Sequence, residues 1–271
     1  MIVSGEDVPE LNTGQAHSAR VYDYLLGGKD NYAADRAAAE AALRVFPNAR
    51  AAARANREFM HRAVRAVTEL GVRQFLDIGT GIPTSPNLHQ VAQGIDPACR
   101  VVYVDNDPIV LAHAAALMTS VPGGRTAYVQ ADAKDPGAVL AAPEVQATLD
   151  LDQPVALSLI AILHFIDDDE VAAGMVRGIL EHLAPGSFLI LTHATPDIAP
   201  EAISGSLAAY RSAGIRGRLR SRDELERLFL GGLDVLEPGI VVPQRWRAGA
   251  VEIGGLNDTD IPVYAAVARR A

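Results

Sequence analysis

Five short apolar runs between residues 73 and 193 constrain the fold more than any other feature of the chain. "RQFLDIG" (73–79), "RVVYVDND" (100–107), "TAYVQAD" (126–132), "PVALSLIAI" (154–162) and "SFLILTH" (187–193) are nearly continuous in β-branched and leucine residues, and helical stretches separate them. Strands without polar alternation are buried on both faces, as in a parallel sheet covered by helices. The spacing therefore predicts an α/β fold. Two later runs, "LDVLEPGIVV" (233–242) and "PVYAAVARR" (262–270), have no helix between them and are expected to pair antiparallel at one edge.

Ahead of the first strand the texture is helical. Residues 1–16 read as a polar, poorly ordered start. A short helix then opens at Ser18 or a neighbour and stops at Gly27 and Gly28. Asp30 or Asn31 is expected to cap an alanine-rich helix that Pro47 ends. A third helix, from Asn48 to Leu70, places Phe59, Ala63, Val67 and Leu70 on one stripe, with Arg57, Arg62 and Arg65 elsewhere around it. The expected division is an N-terminal helical unit, residues 1–70, and an α/β unit, residues 71–271. Near the end, "SRDE" (221–224) matches a capping box, and the helix it opens should stop at Gly231.

The chain's 271 residues suffice for a substantial core, and 49% apolar with 21% charged residues is an ordinary globular composition. A net charge of -9 argues against nucleic acid or anionic membrane as partner. Cys99 is the only cysteine, so neither an intrachain disulfide nor a thiolate metal cluster is possible. The start "MIVSGEDVPE" lacks a signal-peptide pattern, and the longest apolar run, residues 155–166, is too short to span a bilayer. The expected address is the cytoplasm.

In open α/β sheets ligands collect beyond the carboxyl ends of the strands. The first strand runs into "DIGTGIPT" (77–84), where Gly79 and Gly81, flanking Thr80, let the backbone approach a ligand. Asp105, at the end of the second strand, follows Gly81 at close to the ~20-residue interval expected of a carboxylate that accepts ribose hydroxyls. Asp132, after the third strand, is placed to accept from an adenine amine, or else to cap the helix before Pro136. A dinucleotide fingerprint wants a third glycine, but Pro83 and Thr84 stand there. Asp77 would also repel a pyrophosphate while suiting the ammonium and sulfonium groups of S-adenosylmethionine. The methyl donor is thus favoured over a nicotinamide cofactor, with a non-catalytic S-adenosylmethionine or S-adenosylhomocysteine sensor as a further alternative.

"DIGTG", the carboxylate ending "VVYVDND", the "ADA" after the third strand and "AILHFI" after the fourth resemble motifs of class I S-adenosylmethionine-dependent methyltransferases. "ARVYDYLLGGKDNYAADR", "QFLDIGTGIPT", "VVYVDNDPIVLAHA" and "GLDVLEPGIVVPQRWR" further resemble an actinobacterial methyltransferase family first catalogued as a domain of unknown function, from about Ser18 to the C-terminus. The resemblance implies a Rossmann-like, seven-stranded, mostly parallel sheet with the last strand antiparallel, S-adenosyl-L-methionine as cofactor, and an unspecified acceptor. It also implies Asp77 near the methionine amino group, Gly79 to Gly81 under the methionine, and Asp105 on the ribose. Asn106 would pack by the adenine, with Asp132 and Ala133 reading its edge.

Such a core leaves the cofactor uncovered, so the N-terminal "YDYLLGGKDNY" (22–32) is expected to act as a lid or acceptor wall. Tyr22, Gly28, Lys29, Asn31 and Tyr32, with Arg57, are the candidate residues, and the acceptor is expected to be a small molecule. The plainer reading is a helix stop packed down by Tyr22 and Leu26. His164 is placed to take a proton from a nucleophile, against a bland reading as a histidine satisfied by backbone; His193 invites the same question. "DDDE" (167–170) is read as helix capping rather than a magnesium site, and no metal is expected. "RSAGIRGRLRSR" (211–222) is read as a solvated loop, and Trp246 as a plug or a subunit contact.

Overall fold

The computed structural model describes residues 12–117, 119–248 and 257–271. Three helices come first: Ser18–Leu26 (α1), Ala33–Val45 (α2) and Ala49–Glu69 (α3). The chain then runs through Gln74–Ile78 (β1), Leu88–Gln93 (α4), Arg100–Asp105 (β2), Pro108–Leu117 (α5), Arg125–Gln130 (β3), Pro136–Ala141 (α6), Pro143–Thr148 (α7) and Val155–Leu159 (β4). It finishes with Asp169–Leu180 (α8), Phe188–Ala194 (β5), Pro200–Ser212 (α9), Arg222–Leu225 (α10), Asp234–Val235 (β6) and Val263–Arg269 (β7). The seven strands form one sheet in the order β3-β2-β1-β4-β5-β7-β6. Strands β1 to β5 pair in parallel and β7 runs antiparallel to both its neighbours, as the resemblance implies. The order reverses beside β1, so the switch point lies where β1 and β4 end.

Both sheet faces are covered. On one, Leu76, Ile78 and Leu157 pack with Ala172, Met175 and Val176 of α8. On the other, Phe75 and Val101 pack with Phe59, Ala63 and Val67 of α3. Leu70 is 56% exposed and so leaves the expected stripe: it lies one residue past the helix, which ends at Glu69. Trp246 is the plug, fully buried edge-to-face on Phe59 at 5.4 Å. A third cluster joins α1, α2 and α3 to Ile215 and Ile261 above the strand ends.

Several boundaries differ from expectation. The expected start at residues 1–16 lies partly outside the described residues, but Asn12 and Gln15 are held by their carbonyls on the Arg20 guanidinium. Neither Asp30 nor Asn31 caps α2: the Tyr32 amide donates to Asp35 Oδ2 at 2.8 Å, a bond made from inside the first turn. The run 233–242 shrinks to β6 plus one bridge at Val241, because Pro238 offers no N–H and Gly239 (φ 87°) turns the chain. The capping box forms as read, and the helix it opens closes in a π turn before Gly231.

Candidate active site

Strand β1 ends in a turn that only glycine accommodates. Gly79 and Gly81 have φ of 73° and 67°, and a Cβ on Gly79 would lie 2.3 Å from the Ile162 side chain. The Gly79 amide donates to Val104 O of β2 at 2.8 Å, and the Gly81 amide to Asp105 Oδ2 at 2.9 Å. Asp107 N donates to the other Asp105 oxygen at 3.0 Å. Two backbone amides thus orient the Asp105 carboxylate, and each oxygen keeps a further lone pair for a ligand. Burial raises the pKa of Asp105, against the pull of those two bonds.

Asp77 pairs in register with Tyr103 and Ser158 of the flanking strands. Burial pushes its pKa up to about 6, opposed by the Arg57 guanidinium and reinforced by Asp105. Thr80 donates its hydroxyl to Asp77 O at 3.2 Å. Asp132 accepts from the Lys134 amide and pairs with its ammonium at 3.3 Å. Its alternative as a helix cap is taken by Asp135, which accepts from Ala138 N in α6.

A cavity of about 580 Å³ opens at the strand ends, within the ~300–1,000 Å³ range of small-molecule sites. Asp77, Gly79, Thr80, Gly81, Asp105, Asn106, Asp132 and Ala133 all line it, as do His164, Tyr22 and Arg57. Gly28, Lys29, Asn31 and Tyr32 do not. They build the turn between α1 and α2 instead: Asn31 Nδ2 donates to Asp23 Oδ2 at 2.7 Å and to Gly28 O, and Asp30 N donates to the same carboxylate. A Cβ on Gly28 would fall 1.9 Å from Asp23 Oδ1, so glycine is required by that close approach. Lys29 is exposed, and Tyr32 packs on Ile82, Ile109 and Val110. The wall toward the cavity comes from the body of α1, with Ala19, Tyr22 and Leu25, rather than from the glycine turn.

His164 sits with its ring 4.3 Å from that of Phe165, and no described residue bonds its Nδ1, so backbone does not satisfy that nitrogen. Burial, helped by the Arg220 charge, holds its pKa down to about 4. His193 is off the cavity: fully buried, it donates Nδ1–H to Ala194 O at 2.7 Å and presents Nε2 to Arg220 Nη1 at 3.0 Å. Since arginine only donates, His193 is the neutral acceptor there.

The basic stretch is not the solvated loop expected. Arg220 is fully buried, bonded to Asp169 Oδ1 at 2.9 Å and to the carbonyls of Leu163 and Ile166. Arg218 pairs with Asp169 and Glu224, and Arg216 lines the cavity. Asp168 caps α8 by accepting from Val171 N, as read for the acidic run. Sequence reasoning also missed Asn56, Ile162, Leu207 and Tyr210 on the cavity wall. A second stripe on α3, Ala49, Ala52, Ala53, Asn56 and Met60, carried a readable signal for Asn56 in its helical spacing.

The sheet with its antiparallel last strand, the left-handed glycine turn and the carboxylates closing β1 and β2 are those that the resemblance to class I methyltransferases implies. More narrowly, the S-adenosyl methyltransferase family model matches residues 4–271, and the chain belongs to that family. A DUF574 family protein of Streptomyces avermitilis is 50% identical over 97% of this chain and 100% of its own, with a TM-score of 0.94. A candidate methyltransferase of Thermobifida fusca is 38% identical over 98% and 99%, with a TM-score of 0.89. The mitomycin 7-O-methyltransferase, 20% identical over 78% of this chain and 54% of its own at a TM-score of 0.51, shares the fold. No curated protein matches. The protein is therefore an S-adenosylmethionine-dependent methyltransferase, not a nicotinamide enzyme, and its acceptor is unspecified.

Proposed function

We propose that the cavity at the β1–β4 switch point holds S-adenosylmethionine beside a small-molecule acceptor, within a cytoplasmic enzyme. No helix among the described residues is long and apolar enough to cross a membrane. The observation that carries the assignment is the Asp105 carboxylate, fixed by the Gly81 and Asp107 amides on the cavity wall with acceptor capacity to spare for two ribose hydroxyls. The cradle fits the cofactor in its chemistry as well. Asp77 offers a negative charge to the methionine ammonium, the turn from Gly79 to Gly81 passes under the methionine, and Asn106, Asp132 and Ala133 take the adenine. When bound, the cofactor supplies the electrophilic methyl group.

The chain's own residues orient the acceptor and exclude water. A base with a pKa of about 4 holds a proton poorly at neutral pH, so His164 accepts a hydrogen bond from the acceptor rather than removing its proton. Most of the rate gain in so simple a transfer comes from positioning. The reading involves no metal: Asp168 is engaged as a cap and Asp169 by Arg218 and Arg220. In this division of labour residues 1–70 supply part of the acceptor wall, and residues 71–271 supply the cofactor cradle and the rest of that wall.

Asp105→Asn tests it. Charge-assisted bonds contribute roughly 1.5–3 kcal/mol, so S-adenosylhomocysteine affinity by isothermal titration should fall at least ~10-fold while the circular dichroism spectrum stays native. A folded variant with wild-type affinity refutes the ribose assignment.

A further inference from the structure

Beyond the residues assigned to the cofactor, the cavity continues between α1, α3 and α9. Its α3 wall is the stripe of Ala49, Ala52, Ala53, Asn56 and Met60. Three methyl side chains recess this wall, whereas Phe59 and Val67, on the adjoining face of the same helix, fill the space against the sheet. Across from α3 the lining includes Leu207 and Tyr210 of α9, and Phe165 meets the Tyr210 ring edge-on at 6.4 Å. Of the lining residues that these three helices contribute, Arg57 alone is charged; its Nη2 is held by the carbonyls of Thr84 and Pro86, and its Nε has no partner among the described residues.

Two further buried polar atoms without partners belong to residues of this lining. The Tyr22 hydroxyl donates to Ala53 O at 3.0 Å and must therefore accept from Asn56 Nδ2 at 2.9 Å. That fixes the orientation of the amide and leaves Asn56 Oδ1, on a residue 3% exposed, with no donor among the described residues. His164 Nδ1 is equally without a partner. Buried polar atoms without partners are rare in folded proteins, and a ligand is one of the things that satisfies them.

We propose that this part of the cavity binds the methyl acceptor as an uncharged, flat, apolar small molecule that presents a hydroxyl or N–H group to Asn56 and His164. The proposal rests on the methyltransferase reading of the same cavity. An ammonium or carboxylate group placed against the alanine stripe would lose its hydration to methyl groups that carry no charge, the charged lining residues Arg57, Arg216 and Asp167 being no part of that stripe. The same argument disfavours a lysine side chain or a nucleotide as the methylated group.

The test is a binding measurement on protein loaded with S-adenosylhomocysteine, using 2-naphthol as the neutral probe and 2-naphthoate and (2-naphthyl)methylammonium as charged counterparts. We expect 2-naphthol to bind by isothermal titration at least ~10-fold more tightly than either counterpart. Ala52→Phe, which plugs the recess, should abolish that binding and leave S-adenosylhomocysteine affinity unchanged. Leu207→Trp plugs it from α9 and serves the same purpose if the first variant does not fold. Equal or tighter binding of a charged probe overturns the proposal, as does retention of 2-naphthol binding by a folded plugged variant. So does absence of 2-naphthol binding in a protein that binds S-adenosylhomocysteine. Failure to bind S-adenosylhomocysteine at all is a separate result, which removes the cofactor reading and this proposal with it.

Discussion

In the proposed reading Asp77 serves the cofactor at the expense of the fold. Its pKa in the folded chain is about 6, against 3.8 for an unperturbed carboxyl, because burial disfavours the charged form. The native state therefore holds this proton more tightly than the unfolded one does. The resulting stabilisation is fully present below about pH 3.8 and is lost as pH rises through about 6. Asp77→Asn should accordingly be more stable than wild type at pH 8, by on the order of 1–3 kcal/mol in urea titrations, with the gain vanishing near pH 4. Its S-adenosylhomocysteine affinity should fall, and wild-type affinity should itself drop below pH 6 as the carboxylate is neutralised. An Asp77→Asn protein less stable than wild type at pH 8 contradicts this account. Asp77, Gly79, Gly81 and Asp105 were legible in the sequence because a strand end and a left-handed turn are set by the local chain. Asn56 and Tyr210 reach the same cavity from helix faces whose orientation only tertiary packing decides.

The parallel strands were readable as elements because burial on both sheet faces leaves an unbroken apolar record. The basic stretch after α9 misled because the same composition serves a solvated loop and an internal clamp. Arg220 grips the loop after β4 by the carbonyls of Leu163 and Ile166, and anchors that loop to α8 through Asp169. Nothing in the local sequence distinguishes Arg220 from the exposed Arg211 and Arg222. Replacing it by Met strands two carbonyls and His193 Nε2 in the interior and leaves Asp169 with Arg218 alone. The loss should reach about 3 kcal/mol in thermal or urea unfolding. Arg220→Lys should recover little, since a point charge cannot replace the planar fork that serves several acceptors at once. Ring resonances of His164 should shift in both variants, reporting the loop it rides on; unchanged stability and unchanged resonances would mean the clamp is idle.

At the scale of the whole molecule, a buried ion network ties the N-terminal helices to the carboxyl ends of the strands. Arg20 of α1 binds Asp35 of α2 at 3.1 Å and Asp107, just before α5, at 3.4 Å, while His17 meets Asp107 at 3.2 Å. Asp107 in turn donates its amide to Asp105, so whatever seats on that carboxylate is two residues from the anchor of α1. Ala19 lies 3.9 Å from the position of a Cβ on Gly81, which brings α1 against the glycine turn itself. Cofactor binding should therefore order α1 and the following turn. Amide exchange from Tyr22 to Ala34 should slow on addition of S-adenosylmethionine, because such exchange reports local opening. Arg20→Met should raise exchange in the same segment without ligand and weaken the cofactor's protective effect, leaving β4 and β5 unaffected. If exchange across this segment is the same with and without cofactor, and Arg20→Met lowers only the melting temperature, the N-terminal helices are a fixed wall and take no part in closing the site.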